Sequence, residues 1–575
     1  MLAAAMLLAA TSGITTYCNP IDLDYQYNFE QLNQNISYRS GADPVIVLHK
    51  GEYYLFATIA GGWWHSNDLI HWKRIVPERW PVEDIVAPAA MSDGETIYLF
   101  QSNFDHRPIF STNDPKSGRL DFFNRWMPVM PGAEGPWDPD LFRDPDTGRW
   151  FMYFGSSNLY PLYVIELDPA KRLAYKGRAK DLIRLHPEKH GWERFGQDHR
   201  DARTPFIEGA TMNKHNGKYY LQYGAPGTEF NVYANGTYVA DDPLGPFTYA
   251  PNNPVSYKPG GFLNGAGHGN TFQDRHGNFW NTGTPWIGVN WNFERRMAMF
   301  PAGFDADGLL YANTRFGDFP QRIPTGKWSH RNELFAGWML LSYRKPVSVS
   351  SSHPDYPAWN LTDENPRSFW VAASNQPGQT ATIDLGRDYD VKALQVNYTD
   401  YKSGIFTNDE KVYTQFRIHA SRDGKTWETI ADLTGEKRDR PNAYIELPKA
   451  VRARHIRYEH VYVAAQNLAI SDIRVFGNGD GKAPRTPARL SAKRDSDARN
   501  AFVEWQKVPG AVGYNILWGI APDKLYQTYQ VWAEKGEKLE IRAMTVGQDY
   551  WVAIESFDEN GVSKPSAPVA VSPGS

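Results

Sequence analysis

Cysteine is almost missing. Cys18 is the single one in 575 residues, which excludes an internal disulfide framework and any zinc or iron–sulfur site built on thiolates. Charge of neither sign prevails: 61 Lys and Arg stand against 65 Asp and Glu, a net charge of −4, so no field recruits nucleic acid or an anionic membrane. Long apolar runs are lacking too. The one candidate, Leu2 to Ala10, is too short to span a bilayer and has no Lys or Arg ahead of it. It leads into small residues, as the h-region and cleavage region of a secretory signal do. Residues 1–20 are therefore expected to be a leader, and the protein to be secreted or periplasmic. The Thr-Thr-Tyr before Cys18 is a poor lipobox, so lipoprotein anchoring there is not expected. No HExxH or other local His and Asp cluster marks a catalytic metal, and no long amphipathic helix is written into the chain.

Aromatics are plentiful, at 14% with 20 Trp, beside 48 Gly and 40 Pro. That mixture suits an all-β chain with many turns and flat stacking surfaces for sugar rings, and the length calls for several domains. Five segments share one grammar of a small or polar triplet, a strand, a Gly turn and an aromatic strand. They are ADPVIVLHKGEYYLFA from Ala42, VAPAAMSDGETIYLFQS from Val86, WDPDLFRDPDTGRWFMYFG from Trp137, IEGATMNKHNGKYYLQYG from Ile207 and GHGNTFQDRHGNFWNTG from Gly267. Their key positions, Asp43, Ala87, Asp138, Glu208 and His268, recur 44, 51, 70 and 60 residues apart. One four-stranded sheet per repeat predicts a five-bladed β-propeller over 21–338, with the opening residue of each innermost strand facing the axis.

Beyond about Gly337 the repeat stops. Residues 343–476 hold short strands without acid-led hairpins, GNGDGKAPRTP at 477–487 reads as a linker, and 488–575 carry Trp505, Tyr514 and Tyr550 in further strand patterns. Two C-terminal β-sandwich domains are expected.

Cleaving a glycosidic bond needs an acid to protonate the leaving oxygen and a carboxylate to activate water or attack carbon. Asp43, Asp138 and Glu208, converging on one funnel, supply that set, a third carboxylate raising the acid's pKa by repulsion. A lone Asp-Pro opens many ordinary turns; the recurrence is what favours catalysis. Asp140 and Asp144 read as turn and solvent residues, and Glu134 as a loop acid. Trp63, Trp64, Trp286 and Trp291 are stacking platforms or packing residues; Trp64 and Trp291, near strand ends that should border the funnel, are favoured for substrate.

The ordered series of blade motifs resembles glycoside hydrolase family 43, over roughly residues 20–338. The resemblance implies an inverting five-bladed propeller enzyme in which Asp43 is the general base, Asp138 orients and tunes the acid, and Glu208 is the general acid. It implies that His268 lies near the axis, often helping to hold a water-shelled calcium, and that Arg295 contacts substrate. No cofactor is required; a structural calcium is the one ion the resemblance allows for. Two departures stand out: Val86-Ala87-Pro88-Ala89 lacks the usual acid of the second blade, and Glu208-Gly209-Ala210 replaces Glu-Gly-Pro. They cast doubt on the common xylan and arabinan specificities.

Residues 343–476 resemble the F5/8 type C (discoidin-like) domain and 488–575 a fibronectin type III domain, modules that could dock a monomeric enzyme on polysaccharide. The expected function is an exo-acting, inverting hydrolase of the arabinofuranosidase, xylosidase or galactosidase kind, its carboxyls about 6.5–9.5 Å apart. One alternative is a non-catalytic carbohydrate-binding or adhesion protein. The other is a retaining fructan-active propeller, suggested by Phe142-Arg143-Asp144-Pro145 but lacking that clan's Asn-Asp-Pro-Asn and Glu-Cys motifs.

Overall fold

The computed structural model describes residues 15–572 apart from 30–31, 78–85, 103–106, 134–136, 331 and 409–410. Glu134 and most of the expected leader therefore lie outside the described residues. No described helix is long and apolar enough to cross a membrane, and the only helical turns described are short 3₁₀ segments.

Five antiparallel four-stranded sheets follow one another in the chain, each formed by four consecutive strands. Their innermost strands are Ala42–His49, Ala89–Ser92, Asp140–Arg143, Glu208–His215 and Thr271–Gln273. The innermost strands of blades 1 to 4 pack in succession, Gln222 of blade 4 bonds Gly269 and Thr271 of blade 5, and the fifth sheet returns to the first, which makes a β-propeller of five blades. The Gly turns do what their sequence promised: Gly51 and Gly217 link first to second strand at φ +80° and +77°, a conformation that costs glycine little. The second strands bury most of their aromatics, among them Tyr53, Phe151, Tyr153 and Tyr219.

Blades 5 and 1 share no strand. Side chains join them instead. Asn270 binds both main-chain groups of Ile46, Nδ2 donating to the carbonyl and Oδ1 accepting from the N–H. Thr282 Oγ1 donates to the Pro44 carbonyl at 2.8 Å, and Thr284 Oγ1 accepts the Asp43 N–H at 2.9 Å.

Residues 15–20 belong to the fold rather than to a leader. Thr16–Tyr17 pairs with Gln321–Arg322, and Cys18 is buried with its thiol directed at the Asp318 carbonyl. The second unit is an eight-stranded β-structure built on two long strands, Thr380–Tyr398 and Asn442–Val463. Its last strand, Ala469–Asn478, takes in Gly477, which the sequence assigned to the linker. A Cβ on Gly477 would meet the Asp390 carbonyl at 2.0 Å, so this glycine serves close strand approach. Nor does the rest of the linker hang free, for Gly481 N–H donates to Asn560 Oδ1. The third unit is a two-sheet sandwich of three and five strands. Trp505 packs edge-on against Tyr514, and Tyr550 Oη accepts the Thr545 N–H. Its core is continuous with that of blades 3 and 4, through Trp518, Tyr257 and Phe230 among others.

Candidate active site

Local backbone geometry aims the blade-opening residues. Asp43, Ala87, Asp138 and His268 all have positive φ, between 41° and 53°, in the left-handed region that non-glycine residues rarely occupy. In blade 4 the residue with that conformation is Gly209, at φ 63°, not Glu208. Pairing registers agree: Glu208 opposes Gly224 as Ala42 opposes Thr58, with the same break before the next pair. The key position of blade 4 is thus one residue later than the sequence comparison set it. A Cβ on Gly209 would lie 2.6 Å from His268 Cδ2, so the glycine leaves room for the imidazole. Glu208 reaches the axis from the preceding position with its longer side chain.

The expected residues converge. His268 Nδ1 is 3.1 Å from Asp43 Oδ1 and 3.9 Å from Asp138 Oδ2, and Arg295 Nη1 is 3.6 Å from Asp43 Oδ1. Asp138, Glu208 and His268 each offer a polar atom within 4.8 Å of the others. Glu208 Oε1 accepts from Tyr233 Oη at 2.6 Å, and Oε2 from Ser156 Oγ at 3.2 Å. Asp43 Oδ1 accepts no hydrogen bond of good geometry among the described residues, although Oδ2 accepts from Thr58 Oγ1.

Electrostatics separate the acids. Burial alone would raise the pKa of Asp43; His268, Arg295 and the Thr58 hydroxyl outweigh it and hold the carboxyl below the usual range. Asp138 is pushed up to about 7 by burial and by the Asp43 charge. Glu208 rises to about 7 for the same reasons, burial first and then the Asp138 charge. One carboxylate stays ionised where a neighbouring carboxyl keeps a proton, the division that acid–base catalysis requires.

A set of hydroxyls escaped the sequence reading. Thr58 Oγ1 also accepts the Ala87 N–H at 2.7 Å. Ser102 Oγ accepts the Asp138 N–H at 2.6 Å and lies 3.1 Å from Oδ1. Thr284 does the same service for Asp43. Each stands at or just beyond the end of the second strand of one blade and secures the strained residue opening the next. The signal was present in Phe56-Ala57-Thr58, Phe100-Gln101-Ser102 and Thr282-Gly283-Thr284.

Other expectations are corrected. Trp64 lies on the third strand of blade 1, fully buried, its indole N–H on Asp24 and its ring edge-on to Tyr25. It is core, because a strand two places out from the axis turns that face into blade packing. Trp291 is 36% exposed, on the loop ahead of Arg295; its ring meets Phe293, over which the Arg295 guanidinium lies. Asp140 and Asp144 are buried, not solvent residues. Asp140 accepts the Met212 N–H, and Asp144 is held by Lys214 and Tyr219, so both tie blade 3 to blade 4.

As to calcium, a hard divalent cation takes six to eight oxygen ligands. Asp138, Glu208 and His268 offer two carboxylates and a nitrogen, with both Glu208 oxygens already accepting hydroxyl protons. Direct ligation does not fit, and contact through water is the form these residues permit.

Family comparison falls on this cluster. Residues 34–310 match the model of glycosyl hydrolases family 43. This stretch of the chain is a family 43 glycosyl hydrolase domain. The match starts ahead of Asp43 and ends within blade 5, enclosing every residue of the axial cluster. Residues 346–470 match the F5/8 type C domain, so the second unit is that domain. No curated protein matches the chain. Solved structures similar to it include a thermostable family-43 glycoside hydrolase, with 22% identity and a TM-score of 0.43, covering 54% of this chain and all of that one. An endo-1,4-beta-xylanase from Bacteroides thetaiotaomicron shares 22% identity, with a TM-score of 0.39, over 48% of this chain and 95% of that one. A xylan beta-1,4-xylosidase from Bacillus halodurans shares 13%, with a TM-score of 0.39, over 96% of each chain.

Proposed function

We propose that the protein is an exported, exo-acting glycoside hydrolase that removes a terminal pentofuranosyl, pentopyranosyl or galactose-type residue from plant or algal-type polysaccharide, with inversion. One observation carries this reading: a depressed Asp43 and a raised Glu208 share one axial cluster within a family 43 domain.

In the proposed reaction Asp43 takes a proton from water as the water oxygen bonds to the anomeric carbon. The glycosidic C–O bond breaks, and Glu208 delivers its proton to the departing oxygen. Asp43 Oδ1, which faces His268 and Arg295 and is taken by no hydroxyl among the described residues, is the acceptor suited to that water. Asp138 keeps Glu208 protonated by its proximity, and Arg295 and Trp291 bind the terminal sugar. Inversion requires space for water between base and acid, so their carboxyls belong about 6.5–9.5 Å apart. No cofactor enters these steps; a calcium held through water beside His268 would stiffen the cluster only. The C-terminal sandwich, read as fibronectin type III-like, packs as a buttress on blades 3 and 4 of a monomer.

Aryl glycosides of arabinofuranose, xylose and galactose test the reading. Turnover of one of them, with the α or β configuration of the first product opposite to that of the substrate by NMR, is the expected result. Retention of configuration would overturn inversion. Sugar binding without turnover of any of them would make the protein a lectin.

A further inference from the structure

The segments that carry Asp43 and Arg295 are both held from outside the propeller. Arg39 precedes Asp43 by four residues, and its main-chain N–H donates to Asp400 Oδ2 at 2.8 Å. Its guanidinium is forked between two carboxylates of the F5/8 type C domain, Nε and Nη2 on Asp400 and Nη1 on Asp439 at 3.0 Å. Tyr27 Oη adds a bond to Asp400 at 3.0 Å. Arg296 lies beside this group, Nη2 at 4.0 Å from Asp400, and Nη1 donates to the carbonyls of Arg39 and Arg295. Side-chain exposure is 5% or less for Arg39, Arg296 and Asp400.

Between the two arginines the chain segments are tied together. Ser40 Oγ accepts the Arg295 N–H at 3.0 Å, and Gly41 N–H donates to the Arg295 carbonyl at 3.2 Å. The loop leading to Arg295 is buttressed by the same domain: Arg367 covers the Trp286 ring at 4.5 Å, and Val289 packs on Phe369 and its neighbours. Bidentate guanidinium–carboxylate pairs fix direction as well as distance, and small misplacements of catalytic groups cost large factors in rate.

We infer that Asp400 is a positioning residue for the glycosidase site: through Arg39 and Arg296 the F5/8 type C domain sets the separation of Asp43 and Arg295. The accessory domain is then part of the catalytic assembly, and its excision would disarm the site. This inference rests on the proposed hydrolase reading.

The test uses the full chain with Asp400→Asn, Asp400→Glu, Asp439→Asn and, as a control, Ile456→Val in the core of the same domain. Asp400→Asn is expected to lower kcat about tenfold and, because Arg295 also holds the sugar, to raise KM a few-fold. It should also move the acid limb of the rate profile up by about one pH unit, as Asp43 loses the nearby Arg295 charge. Asp400→Glu restores both in part, and Asp439→Asn shifts them less and in the same direction. Ile456→Val lowers Tm and moves neither. Hydrogen exchange of segments 37–43 and 289–297 is expected to quicken in the Asp400 and Asp439 variants but not in the control. Unchanged kcat, acid limb and exchange in both variants would overturn the inference, even if Tm falls. Should Asp400→Asn not fold, Asp439→Asn decides by the same criteria. A wild-type protein that turns over no glycoside defeats the hydrolase reading, while the exchange measurement still decides the clamp.

Discussion

Two buried charged clusters lie close together in this molecule and are built on opposite plans. At the axis three carboxyls, Asp43, Asp138 and Glu208, face one imidazole and one guanidinium. Behind them a guanidinium is gripped by two carboxylates, Arg39 by Asp400 and Asp439, with Arg296 alongside. In the rear cluster Arg39 is held by paired carboxylates and its work is to fix geometry, while Glu294, buried beside Arg296 and Asp400, is a further carboxyl pushed up to about 7. At the axis acid is in surplus, and the surplus has a chemical consequence: the carboxyls cannot all ionise, so a proton is retained near neutral pH. Unmatched charge, rather than charge as such, marks the place where chemistry is expected.

The sharpest way to break the contrast is to neutralise one member of each cluster. Glu208→Gln and Asp43→Asn are expected to lower kcat on a responsive aryl glycoside by about 10²–10⁴-fold, with circular dichroism unchanged. Asp439→Asn, which leaves Arg39 short of one buried partner, should cost on the order of 3 kcal/mol in denaturant unfolding, while kcat falls far less than in either axial variant.

The next effect concerns pH. The proposed mechanism needs Asp43 ionised and Glu208 protonated, so the rate should decline as pH rises through about 7. Asp138→Asn removes a repelling charge, lowers the Glu208 pKa and moves that alkaline limb to lower pH, which a rate profile reads directly. Stability follows the same sign. A carboxyl whose pKa is raised on folding favours the native state below its unfolded value and loses that contribution as pH climbs through the folded one. Glu208→Gln should therefore raise Tm at pH 8 and leave it unchanged at pH 4.

Smaller effects sharpen the boundary of the axial cluster. Thr58→Ala leaves the Ala87 N–H and Asp43 Oδ2 without their shared hydroxyl. It should cost about 1–3 kcal/mol and move the acid limb upward. Trp291→Ala, at the half-open rim, is expected to raise KM a few-fold with kcat nearly intact. Trp64→Ala should cost about 3–5 kcal/mol by opening a core cavity and leave KM unchanged in the folded fraction.

The contrast also explains what could be read from the chain. Asp43, Asp138, Glu208 and His268 were legible because a repeating hairpin copies its orientation, and the blades bring copies to one axis; Arg295 lies outside the repeat and was legible through the family resemblance alone. The blade 4 register was not, since Ile-Glu-Gly and Ala-Asp-Pro align equally well until backbone conformation shows that Gly209 occupies the strained position. Trp64 misled because its distance from the axis depends on strand order within a blade. The rear cluster was hidden by separation: Arg39 and Asp400 lie 361 residues apart, and neither stands in a motif. Gly477 looked like a hinge because a glycine that admits a neighbouring strand and one that frees a linker are the same letter.

The seam between blades 5 and 1 bears on how the molecule fails. The ring is latched by Asn270, Thr282 and Thr284, and the chain they grip is Asp43-Pro44-Val45-Ile46. The latch and the proposed catalytic base are thus one stretch of backbone. When heat first springs the ring at this join, the base swings away while the blades are still intact sheets, so inactivation on warming should run ahead of the loss of β-structure.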